Sequence, residues 1–320
     1  MNTRLELFRR MRRIRVAEET IAQRYNEQKM RCPTHLSIGQ ELVGALAGMV
    51  LRPDDPAVST HRGHAHYLGK GGDLKAMIAE IYGKVTGCAR GRGGSMHLID
   101  ESVGFMGTTA IVGNSVPIGV GLGLSIKLDG DDRVAAIFLG DGCTEEGAFY
   151  ESANIAVTRK LPVIFICENN LYSVYSPLSV RQPSGRRIHE LAASIGLHTD
   201  FADGADAGAT HDMLSRLVAK VRSGAGPALA EISTYRWREH CGPNYDDDLP
   251  YRSAEEIAYW RARDSLDLLE KVMVEGGELS AAEIAEIDAS LQREVQAAFD
   301  FAEASAFPAI EEAYSDEYAG

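Results

Sequence analysis

Residues 140–170 read GDGCTEEGAFYESANIAVTRKLPVIFICENN. An Asp stands between two glycines, and an Asn pair follows at 169–170. Between them lie a helix-like stretch (145–159) and a short apolar run, LPVIFIC. With the apolar run RVAAIFL (133–139) in front, this is a strand–loop–helix–strand unit. It carries a carboxylate, Asp141, at the tip of one strand and a carboxamide, Asn170, at the tip of the next. Both offer oxygen, the donor that Mg²⁺ prefers, often while bridging to a diphosphate. Gly140 and Gly142 let a backbone approach a phosphate closely. Either piece alone is a common Gly-rich turn or Asn-rich strand end. The ordered pair is a far more specific signal.

Working outward, a third strand is expected at 227–232 (PALAEI) beside those at 133–139 and 162–167. All are short, continuously apolar and rich in Val, Ile and Ala, as in a parallel sheet covered on both faces. Helices are expected near 3–29, 39–50, 73–83, 114–128, 145–159, 210–223, 254–275 and 280–306. The alternation predicts an α/β fold, a doubly wound, mainly parallel sheet with helices on both faces. Ligands of such sheets bind at the carboxyl ends of strands, where Asp141 and Asn170 fall. GVGLG (119–123) lies inside a helix-like stretch, without the strand–turn context of a dinucleotide fingerprint.

Two long segments lack periodicity, 84–112 and 235–252, and loops of that length are usually functional or disordered. The second is expected to be mobile and to order over a ligand. From 253 onward the chain is helical and acidic. No domain boundary precedes it, so residues 1–320 are expected to form one domain, with an N-terminal helix (about 3–29) and a helical C-terminal extension (about 253–320). The N-terminus is Arg-rich like a transit peptide. The spacing of Leu5, Phe8, Met11, Ile14, Ala17 and Ile21 predicts a structural helix instead.

The net charge of −13 argues against a nucleic-acid partner. No apolar run is long enough to span a membrane. Five cysteines without a CxxC pair read as reduced thiols of an intracellular, cytoplasmic protein.

The ordered motifs HLSIGQE, HRGH, GRGGSMH, IVGNSVP, GDG…NN and TYR…EHCG run along most of the chain. In this order they resemble the alpha subunit of the thiamine-diphosphate-dependent first component of 2-oxo acid dehydrogenase complexes. The resemblance implies the thiamine-diphosphate-binding fold. It implies Mg²⁺ held by Asp141, Asn170 and the carbonyl of Tyr172, and a diphosphate contacted by the backbone at Gly142 and Cys143. It places Arg62 on phosphate and Ala110 and Val112 around the aminopyrimidine. Relatives commonly have Gly at the position of Ala110. They usually have Tyr at the position of His61, here also assigned to the cofactor site. HRGH looks more like acetoin dehydrogenase alpha subunits. His35, His64 and His240 match the family's active-site histidines, with His35 and His64 on the substrate side and His240 reaching the cofactor as well. Imidazole suits proton transfer near neutral pH. Cys241 stands where some relatives carry a phosphorylated Ser. His61, His64 and His66 together also resemble a transition-metal cluster.

The resemblance further implies a separate beta subunit that supplies an activating Glu, in an α₂β₂ heterotetramer. It implies decarboxylation of a pyruvate-like 2-oxo acid with acyl transfer to a lipoyl-bearing acyltransferase. The alternatives are acetoin cleavage with the same cofactor, a carboligase or lyase without a lipoyl partner, and a silent subunit that keeps only the fold.

Overall fold

The computed structural model describes residues 3–315. In chain order its elements are α1 (Thr3–Arg24), α2 (Glu41–Val50), β1 (Ala57–Ser59), α3 (His64–Lys70), α4 (Leu74–Ile81), β2 (Phe105–Thr108), α5 (Ser115–Asp129), β3 (Ala135–Gly140), α6 (Gly147–Thr158) and β4 (Val163–Asn169). A small hairpin follows, β5 (Tyr172–Ser173) with β6 (Ser176–Pro177), then α7 (Leu178–Arg181), α8 (Ile188–Ile195), β7 (His198–Asp203), α9 (Ala207–Arg222) and β8 (Ala228–Ser233). The chain closes with α10 (Ala254–Arg261), α11 (Ser265–Glu275) and α12 (Ala281–Ala304).

Six strands form one parallel sheet in the order β2-β1-β3-β4-β8-β7. Side chains alternate across it, as strand geometry requires. Ala136 and Phe138 of β3, with Ile164 and Ile166 of β4, enter a core shared with α1, α2, α4, α9 and α12. Ala135, Ile137 and Leu139, with Val163, Phe165 and Cys167, enter the opposite core, shared with α5, α6 and α8. GVGLG lies within α5 and lets that helix press on the sheet. A Cβ on Gly119 would come within 2.3 Å of Ile137, and one on Gly123 within 2.3 Å of Val163. The chain leaves β1 to one side and returns to β3 on the other, so the order reverses between them. A crevice outside the strand ends is expected at such a reversal.

The three expected strands are present as β3, β4 and β8. Sequence missed β1, which has only three residues, and β2, FMGT, which is too short and polar to show a period. It also missed β7, an edge strand that carries polar residues. Helix α3 escaped because all seven of its residues are buried, which leaves no amphipathic pattern. The helix expected over 254–275 is two helices. Asp264 breaks it by capping α11 through the Leu266 N–H at 2.9 Å while pairing with Arg15.

The N-terminal arginines and the acidic C-terminal helix explain each other. Arg12 grips Asp288 with two bonds of 2.6 Å, Arg13 pairs with Glu294 at 2.8 Å, and Arg24 reaches Glu303. Leu7, Phe8, Met11, Ile14 and Ile21 meanwhile bury the other face of α1. Among the described residues no helix is long and apolar enough to cross a membrane.

Candidate active site

Four strand ends converge on the reversal. After β1 come Thr60, His61 and Arg62; after β3, Asp141–Cys143; after β4, Asn170 and Tyr172; after β8, the segment that leads to His240. The turn after β2 adds Ala110 and Val112, and the α1–α2 connection adds His35. A cavity of about 200 Å³ lies among them, lined by all of these expected residues except His64. A larger groove of about 690 Å³ runs between α1 and α12 and holds none of the motif residues.

Asp141 is almost fully buried, and burial raises its pKa while Arg181 opposes the shift. Arg181 of α7 donates to the Asp141 carboxylate and to Glu145. Asn170 turns toward the cavity, with its Nδ2 donating to Gln40 Oε1 at 3.1 Å and its Oδ1 accepting from the Tyr172 N–H at 3.1 Å. The other member of the Asn pair is structural, since Asn169 Nδ2 donates to Glu231 at 2.8 Å. The Tyr172 hydroxyl points away, to Glu256 at 2.8 Å, so its backbone is the part that faces Asn170. Cys143 is buried, and burial pushes its thiol up to about 12, which suits a small filler.

Arg62 donates to the carbonyls of Leu36 (2.6 Å) and His240 (3.0 Å). Burial and the neighbouring Arg236 lower its pKa, yet a guanidinium stays protonated. Three imidazoles crowd beside it. Ring centroids of His35 and His61 lie 4.6 Å apart, His35 and His240 5.1 Å, and His61 and His240 5.4 Å. Burial first, and then the Arg62 charge, push them down to about 2 (His35), 4 (His61) and 3 (His240). All three are therefore neutral at pH 7.

The expected substrate-side position of His64 is corrected. His64 is fully buried at the start of α3, its Nδ1 2.5 Å from Glu18 Oε1 and its Nε2 2.7 Å from Ser95 Oγ. Both ring nitrogens are committed to tying α1 to the 94–96 turn. The expected grouping of His61, His64 and His66 gives way to His35, His61 and His240. His66 instead stacks on Phe138 at 4.0 Å, with its Nδ1 hydrogen-bonded to Ser59 Oγ (2.8 Å) and its Nε2 3.1 Å from Glu168 Oε2 without hydrogen-bond geometry. Glu168 lines the cavity and was missed, although a charge closing an apolar strand was the available signal. Gln40 was missed too.

The 235–252 segment is anchored rather than loose. Trp237 donates its backbone N–H to Ile38 (3.0 Å) and its indole to Asp264 (2.7 Å), and the Gly242 N–H reaches the Thr34 carbonyl (2.9 Å). His240 is thereby held in the cavity wall.

These residues fit Mg²⁺ and a diphosphate in their chemistry. Asp141 and Asn170 line one cavity with their oxygens, and the Arg62 guanidinium beside them is of the type that suits an anion. A Cβ on Gly140 would meet nothing within 4 Å, so the end of β3 is open to a close-lying group. Among the described residues, Arg181 is the cation paired with Asp141 and would compete for its charge.

Fold and site together define an α/β protein with oxygen-bearing side chains and a buried arginine converging at the switch point of a doubly wound sheet. The chain belongs to the dehydrogenase E1 component family, whose model matches residues 9–311. It is 35% identical over 314 residues to the pyruvate dehydrogenase E1 component subunit alpha of Rickettsia bellii, covering 98% of this chain and 95% of that protein. It is 36% identical over 318 residues to the protein of the same name from Zymomonas mobilis, covering 99% and 88%. To the chloroplastic subunit alpha-3 of Arabidopsis thaliana it is 36% identical over 311 residues, covering 95% and 72%.

Proposed function

We propose that this chain is the alpha subunit of a thiamine-diphosphate- and Mg²⁺-dependent dehydrogenase that decarboxylates pyruvate or a close 2-oxo acid and passes the acyl group to a lipoyl carrier. The observation that carries this is the convergence of Asp141, Gly142, Asn170, Tyr172, Arg62 and His240 on one cavity. When bound, the cofactor would supply a nucleophilic carbanion and an electron sink. The chain's own residues bind and orient. Asp141, Asn170 and the Tyr172 carbonyl hold the metal, Arg62 holds the diphosphate, and Ala110 and Val112 border the ring. His35 and His240 line the same cavity and would exchange protons with bound substrate there once its charge offsets the burial that holds both rings neutral. The names of the relatives favour pyruvate over acetoin.

A beta subunit is proposed to close this site and supply the activating carboxylate. In support, Ile111 and Val112 beside the cavity are 66% and 43% exposed, and α5 presents Ile118, Leu124 and Leu128 outward at helical spacing. The test is calorimetric binding of thiamine diphosphate with Mg²⁺ to the alpha–beta complex, for wild type and Asp141→Ala. Binding lost in the variant supports the reading. Equal binding in both proteins, or none in either, sinks it. Turnover with pyruvate and acetoin compared in parallel, with and without a lipoyl domain, then fixes substrate and acceptor.

A further inference from the structure

We infer that His35, His61 and His240 form a three-imidazole site for a borderline transition-metal ion, with Zn²⁺ as the type, in the same cavity as the oxygen donors but chemically distinct from them.

The three rings each offer a nitrogen, and these nitrogens lie within 4.8 Å of one another. Tetrahedral zinc with bonds of about 2.1 Å needs nitrogens about 3.4 Å apart, so side-chain rotations of roughly 1 Å close the set. His35 is only 7% exposed, and its Nδ1 has no hydrogen-bond partner. A buried polar nitrogen without a partner is costly, and a metal bond would satisfy it if Nδ1 is the nitrogen turned to the set. Three protein ligands with an open fourth position is the usual form of an accessible zinc site. Imidazole selects Zn²⁺, Co²⁺ or Cu²⁺ over Mg²⁺, whereas Asp141 and Asn170 select Mg²⁺, so the two sets do not share a cation.

Charges of both signs act on a metal here. Arg62 opposes it, with Nη2 3.4 Å from His240 Nδ1, although the guanidinium is bonded to two carbonyls. The Glu168 carboxylate on the same cavity wall favours it. His61 decides the count, because without it the cavity would offer two imidazoles. Metal binding as such does not depend on the proposed function. The consequence that bound Zn²⁺ competes with thiamine diphosphate does rest on it, because His61 and His240 would serve both.

The test is titration of the full-length chain with Co²⁺, free of thiamine diphosphate, followed by visible absorption. One equivalent should give the intense bands of four-coordinate cobalt, displaced by Zn²⁺ and untouched by excess Mg²⁺. His61→Tyr and His35→Asn, each shown to be folded by circular dichroism, should lose those bands and bind Co²⁺ at least about tenfold more weakly. Asp141→Asn should keep them. A wild-type spectrum like that of aqueous Co²⁺ would falsify the site. So would bands that survive both histidine substitutions or vanish in Asp141→Asn. In the alpha–beta complex, Zn²⁺ should raise the apparent Kd for thiamine diphosphate in wild type and not in His61→Tyr. If the cofactor fails to bind at all while the cobalt bands hold, the proposed function falls and this site stands.

Discussion

Arg181 holds the most consequential charge beside Asp141. A carboxylate at 1% exposure is costly without a partner, and Arg181 provides one from α7. Replacing it with Gln should destabilise the metal-free chain by roughly 1–3 kcal/mol, because a buried charge loses its counterion. It should also remove the competitor for Mg²⁺. Saturating Mg²⁺ is therefore expected to raise the melting temperature of Arg181→Gln more than that of wild type, and an equal or smaller rise would show that Asp141 does not take the metal. Asp141 and Asn170 were legible because their spacing follows from the strand–helix–strand unit. Arg181 was not, since it approaches through a hairpin and a four-residue helix that leave no period in SPLSVRQP. His64 shows the converse limit. Residue type and motif marked it, but only the turn of the chain at Gly63 decides that the ring enters the core. The three cavity imidazoles give a pH signature. Their folded pKa values lie below the unfolded value near 6.5, so the unfolded chain binds more protons in acid. Their contribution to stability is complete above about pH 6.5 and is lost as pH falls toward 4 and below. The slope should reach up to roughly 1.4 kcal/mol per pH unit for each imidazole. Urea unfolding at pH 7, 6 and 5 checks this, and His61→Tyr should flatten the slope by about one proton's worth.

At the scale of elements, the aperiodic 84–112 stretch owes its shape to one buried carboxylate on α4. Glu80 Oε2 accepts from the backbone N–H groups of Ala89 (2.8 Å) and Gly91 (2.8 Å), and Oε1 from those of Gly93 (2.7 Å) and Gly94 (3.1 Å). The glycine-rich GRGGSMH stretch thus wraps an anion supplied by the protein itself. This places Ser95 against His64 and Met96 in the cavity wall. Glu80→Ala strands four amide donors at once and should cost at least about 3 kcal/mol, with new protease cleavage inside 84–97. Unchanged proteolysis and melting would mean that the wrap is held by something else. The same logic explains why 235–252 is anchored. Asp246, buried, accepts from Arg252 and from the Tyr251 hydroxyl, with Arg236 3.6 Å away. Sequence showed a loop rich in opposite charges, and such a segment reads as solvated unless its partners are known to face inward. Continuous apolar strands were readable because burial on both faces writes itself into composition. β1, β2 and α3 were not, because three- to seven-residue elements acquire their burial only from neighbours brought in by topology.

At the scale of the molecule, the two sides of the sheet are finished differently. On one side, α1 is capped by α12 through paired arginines and acids, so the chain covers that surface with its own ends. On the other, α5 is apolar around nearly its whole circumference, and among the described residues nothing covers its outer stripe. Ile118, Leu124 and Leu128 are 50%, 42% and 78% exposed, and Ile155 of α6 adds 50%. A helix that is hydrophobic all round belongs inside a larger assembly. Small residues, Gly121 and Ser125, lie in the same stripe and would let a partner backbone come close. α5 begins at Ser115, shortly after Val112 of the cavity lining, so a subunit that buries the stripe would lie close to the proposed cofactor. Leu124→Glu tests this at the level of assembly. The substitution faces solvent in the isolated chain, so its effect on the chain's own stability should stay within about 0.5 kcal/mol. Burying an unpaired carboxylate at the contact should cost several kcal/mol and prevent formation of the alpha–beta complex on size exclusion. If Leu124→Glu still assembles at wild-type concentrations, the beta subunit docks elsewhere and the exposed stripe needs another occupant. If it fails to assemble while the chain melts normally, α5 is the docking surface, and loss of thiamine diphosphate binding should accompany loss of the partner.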